Sequence, residues 1–155
     1  MLKISEFFSG TIAEAGVGSL ILPRSNYDHA AVIGTVDDAP FAVFIDGPHR
    51  FRGFPSSGNT RYGGVIIPDV SFEVDERSVV DPHRFDVPLG AIICRDGLLG
   101  ISAAGEHAFR GANLVELGSG HSKGTTEVAF SRWHVVLGSA SEKRILFKVD
   151  VTQAD

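Results

Sequence analysis

Cysteine is almost absent from this 155-residue chain: Cys94 stands alone. No disulfide can close within the chain and no thiolate cluster can hold a metal, so nothing points to an oxidising compartment. Long hydrophobic runs are missing too. The longest apolar stretches, such as Ala39 to Ile45, fall far short of the roughly 18 residues that a spanning helix needs, which excludes one. The opening segment, Met1 to Phe8, carries Glu6 where a secretory signal needs a continuous apolar stretch of about 7–15 residues. The expectation is a soluble, cytoplasmic protein with no membrane partner. Lysine is scarce beside arginine, 4 against 10, and bases (14) are fewer than acids (19), giving a formal charge of −5. That balance disfavours sequence-independent binding of nucleic acid.

What the chain has in plenty is glycine, 18 residues, joined by 7 prolines, where a chain of ordinary composition is about 7% glycine. Frequent reversals and short strands follow. Hydrophobic residues at 43% and charged residues at 21% are ordinary values for a folded domain. The length fits one domain, residues 1–155, and no linker divides it.

Two segments alternate strictly enough to name the buried face of a strand. In Val70 to Asp75 every second residue is apolar, and in Ile145 to Val151 the residues Ile145, Phe147, Val149 and Val151 are expected inward. Further strands are expected at Ser19–Leu22, His29–Val36, Phe41–Ile45, Val65–Ile67, Ala91–Cys94, Leu98–Ser102 and Asn113–Leu117, each bounded by turn residues. Asp96-Gly97 between apolar runs is a hairpin turn, because both types tolerate positive φ. Asp37 to Pro40 and Gly138 to Glu142 look like longer hairpin loops. Thr125 to Leu137 has apolar residues at helical spacing, but its β-branched content favours a strand. Ser5 to Ala15 is the one candidate helix, weakened by Gly10 and Thr11. The sum is an all-β, single-domain antiparallel β-sandwich or β-barrel of roughly ten short strands with at most one short helix.

No motif fixes a chemistry, and the sequence leans away from an enzyme. Gly120-His121-Ser122-Lys123-Gly124 has the spacing of a nucleophile elbow, but His134 and then Asp150 follow in the wrong order for that triad. No phosphate-binding loop is present, since Lys123 precedes Gly124. Trp133 reads as a core residue, and His29 and His107, each beside an acid, as structural. Nothing calls for a cofactor or a metal.

Two constellations remain. Pro48-His49-Arg50-Phe51 recurs as Pro82-His83-Arg84-Phe85, each copy preceded by an acid, Asp46 or Asp81. Both copies read first as turns that return a phenylalanine to the core. Read as chemistry, the two histidines and two acids would make a metal-dependent or histidine-based enzyme. The second constellation is an acid-free interval from Gly47 to Pro68, in which His49, Arg50, Arg52 and Arg61 alternate with Phe51, Phe54 and Tyr62. Arginine there suits carboxylate or phosphate, and the rings suit stacking. The plainer alternative pairs these arginines with the acids Asp69, Glu73, Asp75, Glu76, Asp81 and Asp86 that follow, or across a subunit interface. The expected function is a small binding module for an anionic small molecule, with His49, Arg50, Arg52, Phe54, Arg61, Tyr62, His83 and Arg84 as ligand-binding candidates. Self-association into a homo-oligomer is also expected, because short Gly-rich strands leave edges to cover. A purely structural subunit of such an assembly is the remaining alternative.

Overall fold

The computed structural model describes residues 2–25, 29–83, 86–105, 113–119, 127–138 and 141–152. Within them lie fourteen strands: β1 (Phe8–Thr11), β2 (Leu20–Pro23), β3 (Ala31–Val36), β4 (Ala39–Phe44), β5 (Arg52–Pro55), β6 (Gly63–Ile67), β7 (Ser71–Val74), β8 (Val79–Val80), β9 (Ile92–Arg95), β10 (Leu98–Gly105), β11 (Asn113–Ser119), β12 (Val128–Phe130), β13 (Arg132–Leu137) and β14 (Arg144–Asp150). The fold is all-β, with more strands than the ten expected. Among the described residues no helix reaches seven residues.

The helix expected over Ser5 to Ala15 does not form. Two single 3-10 turns, Ile4–Glu6 and Ile12–Glu14, flank β1 instead. The carboxylates of Glu6 and Glu14 reach back to accept from the backbone N–H of Lys3 and Thr11, at 2.7 and 2.6 Å. Each short turn is closed by its own acid, and Gly10 and Thr11 extend between them.

Eleven strands form one sheet in the order β1-β6-β2-β3-β4-β5-β10-β9-β12-β8, with β11 bridging β10 and β3. That bridge settles the choice between sandwich and barrel, because β3, β4, β5, β10 and β11 make a closed ring. Its joints are antiparallel except β5 with β10, which run parallel through Ala104↔Arg52 and Gly105↔Gly53. The last closure is narrow, a single register pair Glu116↔Thr35. The other three strands, in the order β14-β13-β7, form a separate small sheet.

Turn chemistry sets the hairpins. Asp96 (φ 49°) and Gly97 (φ 77°) join β9 to β10 with Arg95 opposite Leu98, as the sequence indicates. Asp37 and Asp38 (φ 50° and 63°) make a tighter turn than the expected loop, because Val36 pairs directly with Ala39. The expected strand Thr125 to Leu137 is in fact two where it can be described. Ser131 breaks it, donating its N–H to Ser78 O at 3.0 Å while Ser78 Oγ accepts from Arg132 N at 3.0 Å. At that crossing the chain passes from the large sheet (β12 on β9) to the small one (β13 on β7 and β14).

The main core gathers the inward residues of both sheets, among them Leu20, Val32, Val43, Ile67, Ile101, Val115, Trp133 and Val135. A second cluster, Ile12, Ala15, Ile21, Ile33, Ala42 and Ile66, lies on the opposite face of β6-β2-β3-β4 under the N-terminal segment. In the last strand, Ile145 is exposed rather than inward. The register slips between Val135 and Val136, so that Phe147 and Ile145 are their partners and Leu146, unpaired, turns to the core. Ion pairs tie elements at the surface: Arg95 grips both oxygens of Glu127 at 3.0 and 2.8 Å, and this guanidinium holds the Glu127 carboxyl below its usual range.

Candidate functional site

The acid-free interval builds one rim of the molecule. After β4 the chain turns through Asp46 to Phe51. Asp46 fastens the start of that turn, its Oδ1 accepting from Ala30 N at 2.7 Å with His29 Nδ1 3.8 Å away. The turn ends in an unusual backbone: Phe51 is buried with φ 64°, a conformation that bulky side chains rarely adopt. It is over-determined from both sides, Phe51 N donating to Phe44 O at 2.6 Å and Ala104 N donating to Phe51 O at 2.8 Å. From there β5 leaves between β4 and the end of β10.

The loop after β5 returns over the same face and is held from outside. Ile12 N donates to Tyr62 O at 2.9 Å and Ala13 N to Asn59 O at 3.0 Å. Asn59 Oδ1 accepts from the N–H of Arg61 and of Tyr62, at 3.1 and 3.3 Å.

Between β5, this loop and the tip of β10 lies an open cleft of about 590 Å³. Phe44, Phe54 and Tyr62 form its aromatic wall: centroids are 4.9 Å apart for Phe44 and Phe54, 5.7 Å for Phe44 and Tyr62, and 6.2 Å for Phe54 and Tyr62. Gly53, Ala104 and Gly105 contribute backbone and a single methyl group, and His49, Arg52 and Asn59 contribute polar groups. Among the described residues, no carboxylate lines the cleft. A smaller depression of about 410 Å³, beside Lys3, Glu142 and Arg144, differs in kind, since Arg144 is paired with Glu6 at 2.5 Å and Lys143 with Glu73 at 2.7 Å.

Of the eight candidates, His49, Arg52, Phe54 and Tyr62 meet in the cleft. Arg61 stands at its edge, its guanidinium 5.7 Å from the centroid of the Tyr62 ring. Arg50 does not join them: it lies over the Phe51 ring at 4.9 Å and helps to hold the Asp150 carboxyl below its usual range, an effect due first to hydrogen bonds from Thr152. His83 is not among the lining residues either, and is close enough to Glu127 to act on its charge. Arg84 lies outside the described residues, as do Asp28, Glu106, His107 and the segment Gly120 to Thr126.

The alternative uses of these residues fare differently. Asp81 Oδ1 accepts from His83 N at 2.9 Å, so both acids before the repeated motif accept from backbone N–H groups and both motifs begin as turns. Among the described residues no group of three or more His, Cys, Asp or Glu converges as a metal site. Two of the acids after the interval pair with other cations, Asp75 with Arg132 at 3.0 Å and Glu73 with Lys143 at 2.7 Å. Among the described residues no carboxylate pairs with Arg52 or Arg61. Phe44, Gly53, Asn59, Ala104 and Gly105 are the lining residues that sequence reasoning missed. Asn59 carried a local signal as a turn residue after Gly58, whereas Phe44 read simply as part of an apolar run.

The family model described as "Uncharacterised protein y4lG" matches residues 9–155, a span that contains the whole cleft. A protein of Sinorhizobium fredii, "Uncharacterized protein y4lG", is 41% identical over 152 residues, covering 96% of this chain and 92% of its own length. No solved structure matches the chain.

Proposed function

The chain belongs to the y4lG family, and we propose that it is a binding module whose cleft takes an anionic small molecule. The observation that carries this is the chemistry of the lining: Arg52 and His49 face about 590 Å³ of open cleft with no acid beside them among the described residues. An arginine with no carboxylate partner among the described residues, beside low-dielectric aromatic walls, makes a local positive field in a chain of net −5. The N-terminal segment braces the loop that forms one wall, so little ordering is left for the ligand to impose.

Arg52→Gln tests this directly. Melting temperature is measured with inorganic phosphate, citrate, benzoate and phenyl phosphate. A binder at 100 times its Kd stabilises by about 2.7 kcal/mol, or roughly 5–10 °C at this chain length. At least one of the four is expected to give such a shift, and Arg52→Gln to abolish most of it while leaving the unliganded melting point unchanged, because the side chain is exposed and pairs with no carboxylate among the described residues. No shift from any anion, or an unliganded melting point that collapses, overturns the reading.

Self-association is a second reading, favoured by the edges. β1 and β8 end the large sheet and β7 and β14 the small one, and three of these carry an exposed apolar side chain: Phe8, Val79 and Ile145. Light scattering at micromolar concentration is expected to give a multiple of 16.5 kDa. A mass of one chain removes it.

A further inference from the structure

We infer that the anion taken by this cleft carries a flat ring, which lies against Phe54 and Tyr62 with its carboxylate or phosphate at Arg52. The inference rests on the anion-binding reading above and narrows it to a class of ligand: aryl carboxylates and aryl or nucleoside phosphates.

Size is the first argument. About 590 Å³ falls in the range of sites for whole organic ligands, about 300–1,000 Å³. A bare oxyanion at Arg52 would leave most of that volume to water and the rings unused. The wall is the second. Phe44 is nearly closed off by its neighbours, while Phe54 and Tyr62 are only half-buried. Two half-covered rings, already tilted 54° to each other, offer a third ring either a stacked or an edge contact. The floor is the third. Gly53, Ala104 and Gly105 leave no large side chain there, and the Cβ that Gly53 lacks would point toward Phe41 in the barrel rather than into the cleft. A planar group can lie close to that backbone.

Polar groups complete the match. Arginine only donates. The Asn59 oxygen is already used by two backbone N–H groups, so what its side chain still offers is its amide N–H₂. These groups therefore ask for a ligand rich in acceptors, and with Arg52 lining the same cleft as the rings and Arg61 beside the Tyr62 ring, one molecule can meet both.

The test uses the full chain and calorimetric titration with three ring-bearing anions, benzoate, phenyl phosphate and AMP. Ringless acetate and inorganic phosphate, and uncharged benzyl alcohol, are the comparisons. Each ring-bearing anion is expected to bind at least about tenfold more tightly than its ringless counterpart, as burial of a ring and its contacts implies. Phe54→Leu and Tyr62→Leu keep the apolar volume and are each expected to reduce that preference, read as the ratio of phenyl phosphate affinity to inorganic phosphate affinity in the same variant, by about two- to tenfold. Two separate variants guard against one that fails to fold. Arg52→Gln is expected to weaken ringed and ringless anions alike. Equal affinity for phenyl phosphate and inorganic phosphate overturns the ring while the anion reading stands. Benzyl alcohol binding as tightly as benzoate overturns the anion reading, and no binding by any probe overturns both.

Discussion

Trp133→Ala is expected to lower the free energy of unfolding by about 3–5 kcal/mol, a large part of the roughly 5–15 kcal/mol that holds a domain together. Trp133 is fully buried on β13, the middle strand of the small sheet, and its ring belongs to the core shared with Ile92 and Ile101 of the large sheet. Its Nε1 donates to Gly90 O at 2.8 Å, just ahead of β9, and Phe72 of β7 meets it edge-on at 6.0 Å. One side chain thus joins the two sheets by packing and by a hydrogen bond. Truncation leaves a cavity and a carbonyl without its partner. Trp133→Phe separates the two: it keeps an aromatic ring and loses the N–H, and a cost of about 1–3 kcal/mol is expected for the orphaned carbonyl together with the lost volume. Urea unfolding followed by far-ultraviolet dichroism measures both. A loss under 1 kcal/mol for the alanine variant would show that the sheets are not joined through this residue.

Sequence reasoning assigned Trp133 to the core because aromatic residues bury most area, but nothing local said that it spans two sheets. The same division runs through the fold. Val70 to Asp75 alternates visibly because one face of β7 is wet, and the Asp96-Gly97 turn is legible because its backbone needs those residue types. Ala31 to Gly34 and Phe41 to Phe44 are buried on both faces, between the main core and the cluster around Ile33 and Ala42, so they read as plain apolar runs whose facing is hidden. β5 was missed because Arg52-Gly53-Phe54-Pro55 has neither alternation nor β-branched residues, and β8 because two residues carry no pattern. Barrel or sandwich was undecidable locally, since closure depends on Thr35 meeting Glu116 far along the chain, and the split of β12 from β13 on Ser131 meeting Ser78.

The candidate site was legible to the extent that it is sequence-local. His49, Arg52, Phe54 and Tyr62 come from one stretch whose lack of acid is visible by inspection, and the loop between them brings the last back over the first. Phe44 and the tip of β10 enter through strand pairing and had no local signal. The parting of Arg50 from Arg52 had none either: it follows from Phe51 taking φ 64°, which the composition of the turn does not announce. Repetition of Pro-His-Arg-Phe turned out to mark turn geometry in the described residues, with Asp46 and Asp81 accepting from backbone N–H groups rather than converging on a metal.

Closure of the barrel makes the second large prediction. Gly34 lies in β3 opposite Phe41, one residue before the Thr35↔Glu116 pair that shuts the ring. A Cβ placed on it would run into the backbone carbonyl oxygen of Glu116, and would lie 2.7 Å from Val115 Cγ1. The obstacle is main chain, which cannot rotate aside, so Gly34→Ala must push β11 away from β3 or distort both. In an open strand the same change would gain about 0.4–1 kcal/mol by restricting the unfolded chain. Here a loss of about 1–3 kcal/mol is expected, the usual cost of overpacking. Gly16→Ala is the control, because a Cβ there meets nothing within 4 Å, and that variant is expected to match or slightly exceed the parent. Thermal and urea unfolding compare the two, and amide exchange locates the damage, which should appear as faster exchange at Thr35 and Glu116. If Gly34→Ala proves as stable as Gly16→Ala, β11 does not seat on β3 as described, and the ring of five strands is open at that joint.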